Sequence, residues 1–223
     1  MCGRYTLTVS ASVLAEVFEA DIRLGHDPRF NIAPTQSVPI VRIDDSGRRR
    51  IDGARWGLIP HWAEDASIGN RLINARSETA ASKPAFRSAV RRRRCLIPAD
   101  GFYEWQRVDG RKQPYHLRFR DRRVFAFAGL WERWSTAKHP TPVESCTILT
   151  TAPNPTVAPI HDRMPVILPD DAWGLWMSAD ELGGDVLSTL LRPYPGDDLE
   201  AVAVSTRVNS PANDDPEVLA PSD

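Results

Sequence analysis

Cys2 carries the most distinctive chemistry in the 223-residue sequence. Cysteine is small enough for the initiator Met1 to be removed ahead of it. An α-amine (pKa about 7.7–8) and a thiol (about 8.5) would then stand on adjacent carbons. Such a pair reacts with aldehydes in two steps. The amine condenses to a Schiff base, as a catalytic lysine does, and the thiol then adds to the same carbon. The product is a five-membered thiazolidine ring of N, Cα, Cβ, S and the former carbonyl carbon. Both groups titrate near neutrality, so neighbours need tune them only modestly. The plainer reading is a buried or frayed terminal cysteine without a role.

Three further residues have side chains suited to assisting that chemistry. Glu104 lies in GFYEW, an acid inside an aromatic, strand-like run. If the strand is half-buried, desolvation raises its proton affinity, as a general acid/base requires; otherwise it faces solvent between Tyr103 and Trp105. His161 stands in APIHDRMPVIL between Pro159 and Pro165, and histidine is the proton shuttle of neutral pH. A cap or a satisfied core histidine is the alternative. Asn74, in RLINARSET, is either a hydrogen-bonding group of a site or an Asx turn before residues 77–81. Metal-binding and nucleotide-binding motifs are absent: there is no C-x-x-C, H-E-x-x-H, Walker or G-x-G-x-x-G pattern. Neither a metal nor another cofactor is expected.

The elements that must position these residues are short. CLIPADGFYEW, PYHLRFR, VFAFAGLWERW and SCTILTT are β-branched and aromatic, with turn signals such as Asp109-Gly110 between them. Helices are expected over Ser10–Ala20 with Ser10 as N-cap and Val13, Leu14, Val17 and Phe18 on one face, and over Pro84–Arg93, Asp170–Ser178 and Val186–Leu191. Nineteen prolines among short strands argue against a doubly wound α/β sheet. The pattern predicts one α+β domain built on a strongly bent antiparallel sheet or open β-barrel with short flanking helices. Residues after Asn209 are acidic and Pro-rich and read as a frayed tail, leaving residues 2–208 as the domain.

Charge is unevenly spread. The formal net charge is -1, yet 25 of the 28 Lys and Arg fall within residues 1–140, while residues 141–223 carry 14 of the 29 acids. A basic surface of this kind is the footprint of a nucleic-acid partner, or else a set of solvated loops and helix ends. Trp56, Trp62, Trp105, Trp131 and Trp134 sit among the arginines. Exposed rings beside arginine grip single strands by stacking and phosphate contact, although most tryptophans are core. No apolar run approaches a membrane span and no secretory signal opens the chain, so no membrane partner is expected. Three widely spaced cysteines do not make a disulfide framework, and Cys95 and Cys146 read as ordinary buried residues. A reducing, cytoplasmic setting fits.

The ordered motifs CGRY at 2–5, NIAPTQ at 31–36, RWGLIPHW at 55–62, NARSET at 74–79, CLIPADGFYEW at 95–105, AGLWERW at 128–134 and HDRMPVIL at 161–168 resemble the SOS response-associated peptidase (SRAP) family. The likeness extends to VNSPAND at 208–214, without departure inside the motifs. It implies recognition of abasic sites in single-stranded DNA and covalent linkage to them through the N-terminal cysteine, which shields the lesion from strand cleavage. Carried over by position, it implies that Cys2 is the nucleophile and that Asn74, Glu104 and His161 are its catalytic partners. It also implies Arg4, Arg76 and Arg163 as phosphate contacts, Trp105 as a stacking wedge, and a monomer that joins the nucleoid when bound to DNA. Two other readings compete. One is a cysteine peptidase of Cys–His–Asn type that releases its own Met1. The other is a non-covalent reader of modified or single-stranded DNA.

Overall fold

The strands follow from residue 5 onward in the computed structural model, which describes residues 2–221. They are β1 (Tyr5–Leu7), β2 (Asp21–Ile22), β3 (Arg29–Ile32), β4 (Ser37–Ile43), β5 (Arg49–Trp56), β6 (Asn74–Arg76), β7 (Arg94–Ala99), β8 (Gly101–Val108), β9 (Arg111–Phe119), β10 (Phe125–Thr136), β11 (His139–Thr151), β12 (Met164–Pro165), β13 (Ile167–Leu168) and β14 (Leu199–Ala203). The helices are α1 (Ala11–Val17), α2 (Ser77–Ala80), α3 (Arg87–Arg92), α4 (Trp173–Met177) and α5 (Gly184–Leu190).

Strands β11, β10, β7, β4 and β5 pair antiparallel in that order, and β5 returns to β11 in parallel through Ser145↔Arg55 and Cys146↔Trp56. That last pairing closes the ring, so the barrel is shut where the sequence left it open. Burial is deepest along three of its strands: all of β7, the first half of β10 and the last half of β11 are buried. A second, wholly antiparallel sheet runs β14-β9-β8-β1-β3 and packs beside the barrel. The Asp109-Gly110 turn joins β8 to β9 with both residues at positive φ (49° and 76°), the two-residue hairpin geometry.

Two expectations are corrected. Helix α1 has Ser10 as its cap but stops at Val17, and only Leu14 and Phe18 are fully buried; Val13 and Val17 are more than a third exposed. The stretch after Asn209 is not frayed. Two 3-10 turns, Thr206–Asn209 and Pro216–Leu219, bury Val208 and Val218 against Tyr103 and Val204. Polar groups do the fastening. Asp214 accepts the backbone N–H of Phe30 (2.6 Å) and Asn31 (2.8 Å) and pairs with Arg29. The Asn31 amide in turn donates to the carbonyls of Val208, Ser210 and Asn213. Composition that suggested solvation is spent on capping backbone, so the packed chain runs past residue 208 to Pro221.

Candidate active site

Cys2, Asn74, Glu104 and His161 come from four separate elements and meet at the seam between barrel and sheet. Strand β1 sits between β8 and β3 and delivers Cys2 into the interior, fully buried. Short β6 lies parallel to β11, and its Asn74 Nδ2 donates to the Cys2 carbonyl at 2.8 Å. With its nitrogen so directed, the buried Asn74 Oδ1 has no hydrogen-bond partner among the described residues. Asn74 is thus part of a strand and not the Asx turn that its sequence setting allowed. Met1, whose removal would free the Cys2 amine, lies outside the described residues.

Glu104 sits on the face of β8 turned toward the seam and is 2% exposed. Burial raises its carboxyl from the ordinary 4.5 to about 7. His161 approaches from the loop between β11 and β12, with Nε2 3.8 Å from Glu104 Oε2. Gln106 steadies that loop by donating to the Pro159 carbonyl at 2.9 Å. Burial lowers the His161 pKa, which favours the neutral ring at pH 7. Its Nδ1 accepts the Arg163 backbone N–H at 3.0 Å, which leaves the ring proton on Nε2, toward Glu104. Asp162 Oδ1 is also 3.0 Å from Nδ1, where it can accept a hydrogen bond from the charged ring. The Cys2 thiol is pushed up by burial and by the Glu104 charge, so it rests as the thiol.

The basic residues divide by how their charge is used. Among the described residues Arg4 is held by neutral acceptors: Asn31 Oδ1 (2.7 Å) and the carbonyls of Val208 (2.6 Å) and Asn209 (3.2 Å). Its charge is fixed in place and uncancelled. Arg76 is exposed, in a cleft of about 580 Å³ that it lines with Asn74, Leu72, Lys83, Phe86 and Trp62. Arg163 is different. It forms a two-point pair with Glu78 (2.6 and 2.9 Å) and donates to the Thr150 carbonyl at 2.6 Å. Its charge is cancelled, and it ties α2 to the His161 turn. Trp105 is partly exposed and donates Nε1 to Asn209 Oδ1 at 2.7 Å, which orients its ring.

Trp56 and Trp134 are core, whereas Trp62 is 51% exposed in the cleft beside Asn74. Sequence grouped Trp62 with the others; its signal was only its place after Pro60-His61 in a turn. Asn31, which locks Arg4, was missed, because nothing local marks a buried asparagine as a hub. Among the described residues no group of three His, Cys, Asp or Glu is set to hold a metal ion, and no helix is long and apolar enough to cross a membrane.

A buried cysteine, a near-neutral carboxyl, an imidazole and an amide thus gather at one seam. The chain belongs to the SOS response associated peptidase (SRAP) family, whose match covers residues 1–211. It is 45% identical over 98% of its length to the abasic site processing protein YoqW of Bacillus subtilis, covering 99% of that protein. It is 32% identical over 99% of its length to the abasic site processing protein HMCES of Gallus gallus, covering 78% of it. The fold is shared with a crystal structure of a protein from Bacteroides thetaiotaomicron (TM-score 0.90, 24% identity, 99% of this chain and 100% of that one). A Bordetella bronchiseptica structure is also similar (TM-score 0.78, 30% identity, 92% of this chain and 100% of that one). This is an abasic-site-processing family with one α+β fold.

Proposed function

We propose that the protein senses abasic sites in single-stranded DNA and captures them as a thiazolidine on Cys2 once Met1 is removed. The observation that carries this reading is a buried carboxyl at about 7 beside Cys2, whose carbonyl is pinned by Asn74. An abasic deoxyribose is mostly a closed hemiacetal and must open first. Ionised Glu104 takes the C1′ hydroxyl proton while the charged, minority form of His161 protonates the ring oxygen from Nε2, and the Glu104 proton then passes to the bared Nε2, which restores both groups. Glu104 then accepts a proton from the Cys2 ammonium. The free amine adds to C1′, and the same carboxyl returns a proton to the departing hydroxyl, which leaves as water. Asn74 Oδ1 is an acceptor for the amine N–H and favours attack in one orientation. The thiol adds to the iminium carbon, its proton passes to Glu104, and the ring closes with a net loss of one water. Consuming the iminium removes the species that promotes strand cleavage.

Single strands suit this site because extruding a nucleotide from a duplex costs a few kcal/mol. The relatives' role in abasic site processing agrees with this substrate. A thiol raised by burial runs against the peptidase reading, which requires a thiolate. Intact mass spectrometry of the Met-processed protein with abasic single-stranded DNA tests the proposal. The expected mass is protein plus DNA minus one water, absent from Cys2→Ala and from an amine-blocked sample. Binding without a denaturation-resistant adduct would replace it with the non-covalent reader.

A further inference from the structure

The β8–β9 hairpin breaks a rule that the rest of its sheet obeys. Arg107 on β8 stands directly opposite Lys112 on β9, so two cations face each other across the ladder. Like charges so opposed repel, and such a pair is retained only where something else uses it. Both side chains are exposed, and neither makes an ion pair or a side-chain hydrogen bond among the described residues. Farther along β9 the sheet does the opposite. Arg118 stands across from Glu200 on β14 and bonds it at 2.9 Å.

Direction adds to charge. Side chains two residues apart on a strand share a face and lie about 6.6–6.8 Å apart along it. Arg107 therefore follows Trp105 on one face of β8, while Glu104 and Gln106 occupy the other. Opposite them, Pro114 and Lys112 repeat the same face on β9. Trp105 is bound to the Asn209 side chain, and the Asn209 carbonyl accepts from Arg4. Arg4, Trp105 and the opposed cations thus form one track: a fixed charge, a ring, then a paired charge.

We propose that Arg107 and Lys112 form a phosphate fork that grips the nucleic-acid backbone flanking the lesion, beyond the nucleotide stacked on Trp105. The anion resolves the repulsion by sitting between the two cations. This inference rests on the reading of the site as a single-stranded DNA site, and its test separates the two.

The test uses the full chain and an abasic-analogue strand that lacks the C1′ hydroxyl and therefore cannot be crosslinked. Affinity is followed by fluorescence anisotropy across a salt series. Each phosphate neutralised on a single strand contributes about 0.7 to the log–log salt slope, so Arg107→Gln/Lys112→Gln, which releases the one phosphate between them, should flatten it by about 0.7. The difference is expected on a strand long enough to pass the hairpin and not on a trinucleotide. Arg48→Gln/Arg91→Gln removes the same charge elsewhere and should leave the slope in place. The melting temperature of the hairpin variant should equal or exceed that of the unaltered protein. An unchanged slope, a loss equal on the trinucleotide, or a fall in melting temperature would each overturn the fork. Adduct formation by the unaltered protein on an abasic trinucleotide is read separately; its failure would remove the covalent reading and leave the slope comparison standing.

Discussion

Glu104→Gln separates what the buried carboxyl costs the fold from what it gives the chemistry. The native carboxyl titrates at about 7, whereas an unfolded chain ionises it near 4.5, because burial penalises the charge. Below pH 4.5 both states hold the proton and the group costs nothing. As pH rises from 4.5 to 7 the unfolded state gives up its proton first, and native stability falls by about 1.4 kcal/mol per pH unit. Above 7 the loss levels off at about 3 kcal/mol. Glutamine keeps the shape of the neutral acid and cannot ionise. The stability difference between variant and unaltered protein should therefore grow by about 3 kcal/mol between pH 4.5 and pH 8, in the variant's favour. For a chain of this size that is roughly 6–12 °C in melting temperature. Urea titrations followed by fluorescence of the buried Trp56, Trp134, Trp173 and Trp176 measure it. Taking the difference at each pH removes the titration of every other carboxylate that the two proteins share. A difference that stays flat, or that grows toward low pH, would refute the argument. The same variant should form adduct far more slowly at pH 7, a more stable protein that has lost its proton carrier.

Other outcomes follow from the same geometry. Arg4→Gln and Arg76→Gln should each flatten the salt slope of single-stranded DNA binding by about 0.7, whereas Arg163→Gln should not, because Glu78 already cancels that charge; anisotropy across a salt series reads all three. Asp214→Ala removes the acceptor for two backbone N–H groups and the partner of Arg29, so urea denaturation should report a loss of about 2–4 kcal/mol. Limited proteolysis should then cut within residues 205–215, which the unaltered protein protects. Gly101→Ala directs a methyl group onto His116 Nε2 and Thr6 Oγ1. It should cost about 3 kcal/mol, part of which Gly101→Ala/His116→Ala recovers, because the ring that blocks the methyl is gone.

Much of the candidate site was legible because its signals are local. An amine and a thiol on one residue need no fold to be recognised, and an acid inside GFYEW already announces a carboxyl on an aromatic strand. The direction of the Glu104 pKa was legible only on the condition that this strand is buried, which the sequence left open and the fold supplies. The hairpin at Asp109-Gly110, the Ser10 cap and the alternation of Leu117 and Phe119 with Arg118 and Arg120 were equally plain, since each depends on neighbours within a few residues. Closure of the barrel was not. It rests on parallel pairing of Ser145 with Arg55, two strands separated by much of the chain, and no turn signal specifies such a register. Nor was the packing of the last residues, since Asn and Asp read as solvated until a partner backbone, here Phe30 and Asn31, is found for them.

The three arginines mark the boundary of what residue type can tell. Arg4, Arg76 and Arg163 look equivalent in sequence, each inside a motif. Structure separates them by their partners: carbonyls and an amide, solvent, and a carboxylate. A guanidinium held by neutral oxygens keeps its full charge and loses only its freedom, which is the arrangement that binds a phosphate at least entropic cost. One held by a carboxylate has already met an anion and serves as a clamp. Asn31 is asparagine for this reason. An aspartate there would fit the Arg4 guanidinium but cancel its charge, and would lose the amide hydrogens that fasten residues 208–213. The C-terminal strap and the N-terminal arginine are therefore one device. Residues 208 and 209 hold the Arg4 charge still, so, on the proposed function, segments remote in sequence must fold together before that charge is in place for a strand.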